Sequence, residues 1–326
     1  MPSRRDFLLR SAGLSASLGL SPALLRALTL LPTQGTLLQR AIPKTGERIP
    51  VIGLGSSATF AQVARTEDVS ALRAVLQTLV DGGGRVFDTA PGYGASEEVA
   101  GGLVNELGVA ARMFWATKVN VAGRRGGTAD PAAARAQIEQ SLARLQRPSI
   151  DLIQVHNMGD PATQLPIVRE FQRAGRVRYV GISTTFPEQY AQLIDVMRNE
   201  PLDFIGVDYA ADNRDVEEVI LPLAMERKIA VLAYAPFGRT SLFRRVAGQT
   251  LPAFAAEFDA STWAQFFLKF TLSHPAITAV TPATSQAKNM LDNLGGGIGR
   301  LPTAEHRRQI IAFIDALPAP APAPRR

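Results

Sequence analysis

The chain has 326 residues, of which 46% are hydrophobic and 7% aromatic, so it can bury the core of one large barrel or of two smaller domains. Its formal net charge of +6 lies at the ends, because residues 1–40 carry +4 and the last two residues carry +2. The neutral body argues against a nucleic-acid partner. The lack of cysteine excludes disulfides and thiolate metal sites.

The first 40 residues have the layout of an export signal followed by a linker. "SRRDFL" matches the twin-arginine pattern, in which Arg4 and Arg5 are read by the translocase that exports folded proteins. This predicts a periplasmic or otherwise exported protein. Arg26 and the missing A-x-A site leave cleavage undefined, so an uncleaved membrane anchor is one outcome. The alternative is an ordinary amphipathic N-terminal helix.

Residues 41–316 are predicted to form one domain of alternating strands and helices. Eight short apolar runs are nearly continuous in hydrophobicity, as strands buried on both faces of a parallel sheet are. They begin near residues 51, 85, 113, 151, 176, 202, 229 and 277, and read "VIGLG", "RVFDT", "MFWATKV", "DLIQVH", "RVRYVGIS", "LDFIGV", "IAVLAY" and "ITAVTP".

Helical patterns separate these runs. After Asp130, an N-cap followed by proline, Ile138 and Leu142 share one face, and a similar stripe follows Thr66. Eight strand–helix repeats predict a closed (β/α)8 barrel. The runner-up is a doubly wound open sheet, but no G-x-G-x-x-G follows the first strand. The Pro/Ala repeat at 317–326 predicts an extended, disordered tail.

Four titratable side chains fall at the carboxyl ends of neighbouring predicted strands, where such barrels place their active sites. Asp88 ends the second strand and Tyr93 lies in the loop after it, while Lys118 and His156 end the third and fourth strands. Each residue alone is more often structural than functional, but four converging groups indicate a site.

The four groups suit proton donation to a carbonyl oxygen. A phenol is a poor acid at pH 7 unless a nearby cation lowers its pKa, and Lys118 can be that cation while Asp88 keeps it charged. His156 can orient the substrate oxygen or relay the proton. The three histidines form no ligand cluster, so no metal site is predicted.

In order and spacing, "FDTAPGYGASE", "WATKV", "IDLIQVHN" and "GRVRYVGIS" resemble the motifs of the aldo-keto reductases, from about Thr45 to about Leu301. "KTGERIPVIGLG" is similar to that family's N-terminal hairpin, which closes the bottom of the barrel. The resemblance implies that Tyr93 is the general acid, tuned by Lys118 and Asp88. His156 would orient the carbonyl of a small-molecule aldehyde or ketone.

The same resemblance implies a nicotinamide cofactor, NADP with NAD as the alternative. Tyr234 matches the aromatic residue that stacks on the nicotinamide, and Ser183 matches a partner of its carboxamide. The adenosine end would meet residues of "TPATSQAKNMLDNL". The implied cofactor residues are Gly55, Ser56, Ser183, Thr184, Tyr234, Thr284, Ser285, Lys288 and Asn293. The alternative reading of that last segment is a plain helix start capped by Ser285.

Three positions depart from the family pattern. Thr184 stands where Asn is frequent, Asn289 stands where an Arg often grips the 2'-phosphate, and Gly206 stands where Gln is usual. Because glycine offers no side-chain hydrogen bond, we expect Gly206→Gln to tighten cofactor binding.

The twin-arginine prefix together with "STWAQFFLKFTLSHPAIT" indicates an exported subgroup of the family, and we expect a monomer. Two other functions stay open at this point. The barrel could bind the cofactor as a regulatory or redox-sensing unit with little turnover. It could also be a lyase or isomerase that uses Tyr93 and Lys118 without any nicotinamide.

Overall fold

The computed structural model describes residues 35–123 and 126–318. Residues 1–34, which hold the predicted signal, and residues 319–326, which make up most of the predicted tail, lie outside the described residues. None of the helices in the described part of the chain is long and apolar enough to cross a membrane.

Eight parallel strands follow one another around a barrel, as the apolar runs predict. Each strand pairs with the next along the chain, and bridges from Ile52 to Val280 and from Gly55 to Ala283 join the last strand to the first. The strands are β3 (Leu54–Gly55), β4 (Val86–Asp88), β5 (Phe114–Val119), β6 (Ile150–His156), β7 (Val177–Thr184), β8 (Phe204–Asp208), β9 (Ala230–Tyr234) and β10 (Ile277–Val280).

A short antiparallel hairpin of β1 (Gln39–Ala41) and β2 (Arg48–Pro50) precedes the barrel. Its Ile42 and Ile49 are fully buried among the apolar side chains that fill the barrel interior, such as Phe114, Leu152 and Phe204. The hairpin therefore plugs the amino-terminal end of the barrel, as expected, and leaves the carboxyl end for a site.

Helices cover the outside of the barrel and bury one face against it, in a large apolar cluster separate from the interior one. Within the described residues they are α1 (Thr59–Val63), α2 (Ser70–Asp81), α3 (Ser96–Glu106), α4 (Pro131–Arg144), α5 (Pro161–Arg173), α6 (Tyr190–Asn199), α7 (Ile220–Glu226), α8 (Ser241–Arg245), α9 (Trp263–Ser273), α10 (Ala287–Gly295) and α11 (Ala304–Ala316).

The predicted helix signals are confirmed where a cap and an apolar stripe agree. The Asp130 side chain accepts from the Ala132 N–H at the start of α4, and Pro131 occupies the first helical position. Helix α2 buries Leu72, Leu76 and Leu79 on one face.

Candidate active site

A buried ion pair joins β4 and β5 at the carboxyl end of the barrel. Lys118 Nζ donates to Asp88 Oδ2 at 2.7 Å and to the Thr89 carbonyl at 2.8 Å. Asp88 pairs in register with Ala116, so Lys118 lies two residues further along β5 and reaches back toward the carboxylate. Both side chains are almost fully buried, and the pair is therefore a fixed, water-poor charge arrangement.

The turn after β4 holds the Tyr93 phenol beside this pair. The Tyr93 N–H donates to the Ala90 carbonyl at 2.9 Å, and the Ser96 hydroxyl donates to the Tyr93 carbonyl at 2.8 Å. Gly94 follows at φ +64°, a conformation that favours glycine. Lys118 Nζ consequently lies 5.3 Å from the centroid of the Tyr93 ring.

His156, the last residue of β6, completes the group of four. Its ring is nearly perpendicular to the Tyr93 ring, with 5.9 Å between centroids. Its carbonyl accepts from Asn120 Nδ2 at 2.8 Å, which ties the end of β6 to the loop after β5. The structure thus brings Asp88, Tyr93, Lys118 and His156 together at one rim, as the strand assignment requires.

Burial and charge act on the Tyr93 phenol in opposite directions. Burial raises the pKa of Tyr93, the Lys118 charge lowers it, and the net effect is a pKa above the ordinary value. The Lys118 charge does lower the pKa of Tyr93, as expected, but the larger effect of burial outweighs it. The sequence does not reveal how deeply the phenol is buried. The phenol is fully protonated at neutral pH.

Burial and charge also shift the pKa values of Lys118 and Asp88, the ion pair beneath the phenol. Burial alone would lower the pKa of Lys118, but the negative charge of Asp88 raises it above its usual value. Burial also raises the pKa of Asp88, against the charge and hydrogen bond of Lys118 and a hydrogen bond from Tyr234. The ionised Asp88 therefore stabilises the charged form of Lys118.

Tyr234 belongs to this cluster through its hydroxyl as well as its ring. The hydroxyl donates to Asp88 Oδ1 at 3.1 Å and accepts from Gln154 Nε2 at 2.8 Å. Sequence reasoning missed Gln154, although a buried amide two residues before His156, within the apolar run "DLIQVH", was a usable signal.

Gly206 lies under the Tyr234 ring rather than beside open space. A Cβ at Gly206 would approach the ring and hydroxyl of Tyr234 to between 2.4 and 2.6 Å, closer than real Cβ contacts. A larger side chain at Gly206 must therefore displace the Tyr234 side chain, which already fills that position, before it can reach a cofactor.

Two of the implied cofactor residues carry buried hydroxyls that are unpaired within the described part of the chain. Ser183 pairs in register with His156 on one side and Gly206 on the other, so its hydroxyl lies beside the four groups. The Ser56 hydroxyl is likewise buried, while its N–H donates to the Asp88 carbonyl at 2.9 Å. Such groups fit the polar atoms of a nicotinamide carboxamide and its ribose.

Gly55 and Thr184 make their close contacts with other residues of the protein. A Cβ at Gly55 would lie 2.6 Å from the Thr281 carbonyl, so this glycine permits the close approach that shuts the barrel. The Thr184 hydroxyl donates to the Gln189 side chain and accepts from the Phe186 N–H at 3.1 Å. Thr184 therefore shapes the loop after β7.

The segment implied for the adenosine end follows β10 at the same end of the barrel. Thr284 and Asn293 are buried, whereas Lys288 is exposed. The Ser285 cap alternative is wrong, because Gln286 is the extended residue before α10 and no side chain caps it. Instead the Thr284 hydroxyl accepts from the Gln286 N–H at 3.1 Å.

A separate cavity of about 740 Å³ opens between α5 and α6. It borders the loop after β6 at Asn157 and Met158 but contains none of the four converging groups. We therefore place the candidate site at the barrel rim, where buried charges and unpaired hydroxyls meet, and not in this cavity.

The fold and site define a (β/α)8 barrel with a buried acid–lysine pair, a phenol and an imidazole at its carboxyl rim. The profile of the aldo/keto reductase family matches residues 51–309, and the chain belongs to that family. A curated relative, aldo-keto reductase YhdN of Bacillus subtilis (strain 168), is 32% identical over 209 residues. That match covers 61% of this chain and 62% of the relative, less than two thirds of its length.

Solved structures share the fold at lower identity. An aldo-keto reductase from Klebsiella pneumoniae in complex with NADPH has a TM-score of 0.70 at 22% identity, covering 86% of this chain and 96% of that one. The holo form of AKR11C1 from Bacillus halodurans has a TM-score of 0.68 at 22% identity, covering 85% and 96%.

Proposed function

We propose that this protein reduces an aldehyde or ketone to an alcohol with NADPH. The observation that carries the proposal is the buried Lys118–Asp88 pair beside the Tyr93 phenol, with His156 facing the same phenol. All four groups lie at the active end of a barrel of the aldo/keto reductase family.

When bound, the reduced nicotinamide supplies the hydride that adds to the carbonyl carbon. Tyr93 donates its hydroxyl proton to the carbonyl oxygen as the alkoxide develops there. The charged Lys118 stabilises the phenolate that remains, and Asp88 holds Lys118 in place. His156 donates a hydrogen bond to the same carbonyl oxygen and so orients the carbonyl toward the hydride.

The cofactor site is proposed from this chain's own polar atoms. The buried hydroxyls of Ser183 and Ser56 hold the nicotinamide end, and the Tyr234 ring gives it a stacking surface. Thr284, Ser285, Lys288 and Asn293 hold the adenosine end. The exposed Lys288 is the cation of this segment that can meet a 2'-phosphate, which favours NADPH over NADH.

The export of the protein and its monomeric state are further parts of the proposal. The prefix "SRRDFL" supports an exported, twin-arginine subgroup and delivery to the periplasm through the translocase. These residues lie outside the part of the chain that the structure describes.

The proposal is tested by following the reduced-nicotinamide absorbance of the purified protein with a panel of aldehydes and ketones. Steady oxidation of NADPH is the expected result, with a higher kcat/KM for NADPH than for NADH. Tight binding of NADPH without turnover would identify the regulatory barrel instead. Absence of nicotinamide binding would leave the lyase or isomerase reading.

A further inference from the structure

The Tyr234 hydroxyl lies between a neutral donor and a carboxylate in the middle of the barrel. Gln154 Nε2 donates to the hydroxyl at 2.8 Å, and the hydroxyl donates to Asp88 Oδ1 at 3.1 Å. Asp88 uses its other oxygen, Oδ2, for Lys118 at 2.7 Å. Each carboxylate oxygen of Asp88 thus has its own donor, from a different strand.

Two glycines provide the space for this arrangement. Gly206 faces the Tyr234 ring so closely that a Cβ there would clash with it. Gly181 pairs in register with Gln154, and a Cβ at Gly181 would lie 2.7 Å from the Phe204 carbonyl oxygen and 3.0 Å from Gln154 Cγ. Gly206 therefore leaves room for the Tyr234 ring, and Gly181 allows the close approach of both the Phe204 backbone and the Gln154 side chain.

We propose that Tyr234 is a positioning residue of the proton-donating group, and that its hydroxyl orients Asp88 so that Lys118 stays beside Tyr93. Gln154 in turn fixes the direction of the Tyr234 hydroxyl, because it supplies the donor and leaves the phenolic proton for Asp88. This inference rests on the proposed reductase activity. It gives the Tyr234 side chain a second role besides stacking on the nicotinamide.

The Tyr234 hydroxyl also favours the ionised form of Asp88. The titratable groups that face Asp88 are Lys118 on β5, Tyr93 on the loop after β4 and Tyr234 on β9. The hydrogen bond from Tyr234 is one of the effects that oppose the burial-driven rise of the Asp88 pKa. Without it, Asp88 takes up a proton at a higher pH and Lys118 loses its counter-charge.

The test is Tyr234→Phe, which removes the hydroxyl and keeps the ring. We expect kcat to fall by about 10-fold, the scale of a hydrogen bond to a charged group, with cofactor affinity changed by less than about twofold. The acid limb of the pH profile of kcat should move to higher pH, because Asp88 must be ionised for activity. A purely stacking or structural role would not move that limb.

Tyr179→Phe is a matched control, since this buried phenol of β7 bonds Thr45 and Glu47 near the hairpin and should leave the acid limb in place. An unchanged kcat and acid limb in Tyr234→Phe would overturn the proposal, as would a defect confined to cofactor affinity. If that variant does not fold, Gln154→Leu must shift the limb in the same direction. A wild-type protein inactive on every carbonyl would instead contradict the proposed function.

Discussion

Gly206 shows how a missing side chain organises the centre of this site. The position lies between Ser183 and Leu232 in the sheet, with the Tyr234 ring above it. The absence of a side chain at Gly206 leaves space, and the Tyr234 ring from the next strand occupies this space and reaches Asp88.

Gly206→Gln is expected to lower activity rather than to improve cofactor binding. The added side chain must displace Tyr234, because a Cβ alone would come within 2.5 Å of its hydroxyl. We expect kcat to fall at least about 10-fold, as in Tyr234→Phe, together with weaker cofactor binding from the disturbed ring. Fluorescence titration with NADPH and a thermal melt measure both effects.

Gly102→Gln on α3 is the control for this substitution, since a Cβ there meets nothing within 4 Å. It should leave activity and cofactor binding unchanged. Tighter NADPH binding by a normally melting Gly206→Gln variant would show that the Tyr234 ring can move aside without loss.

The residues of the site were predictable to the extent that strand ends could be located. Asp88, Lys118 and His156 each end an apolar run, and parallel strands bring such ends to one rim. The contact between Gln154 and Tyr234 was not predictable in this way, because it crosses the barrel between strands that are not neighbours. It depends on which side chains face inward and on the glycines opposite them.

At the scale of elements, strands and capped helices followed from local chemistry. Strands buried on both faces read as continuous apolar runs, and Asp130 with Pro131 marks the start of α4. The start of α10 was harder to predict, because Ser285 is a good cap by type but the chain remains extended through Gln286. There the Thr284 hydroxyl supplies the local hydrogen bond instead, a choice that depends on how the chain leaves β10.

At the scale of the whole molecule, the charge distribution separates the two ends from a neutral barrel. The basic residues of the first 40 positions include the adjacent Arg4 and Arg5, which the proposed translocase would read. If the segment were an ordinary amphipathic helix, it would need the positive charges of Arg4 and Arg5 but not their guanidinium groups. Lysine at these two positions therefore distinguishes the two interpretations.

Arg4→Lys combined with Arg5→Lys is expected to retain the folded protein in the cytoplasm. The charge is unchanged, so only specific recognition of the arginine pair is lost. Fractionation of cells that express the wild-type and variant chains measures the outcome, with reductase activity reporting that the retained protein is folded. Export of the variant at the wild-type level would refute the signal.

The central claim is that Tyr93 donates the proton in a nicotinamide-dependent reduction, and Tyr93→Phe tests it most directly. Removal of a general acid costs about 10²- to 10⁴-fold in rate. We therefore predict that kcat falls by at least about 10²-fold, measured by NADPH absorbance with the best carbonyl substrate. NADPH binding in a fluorescence titration should be nearly unchanged. Turnover at the wild-type rate in a folded Tyr93→Phe variant would contradict the account.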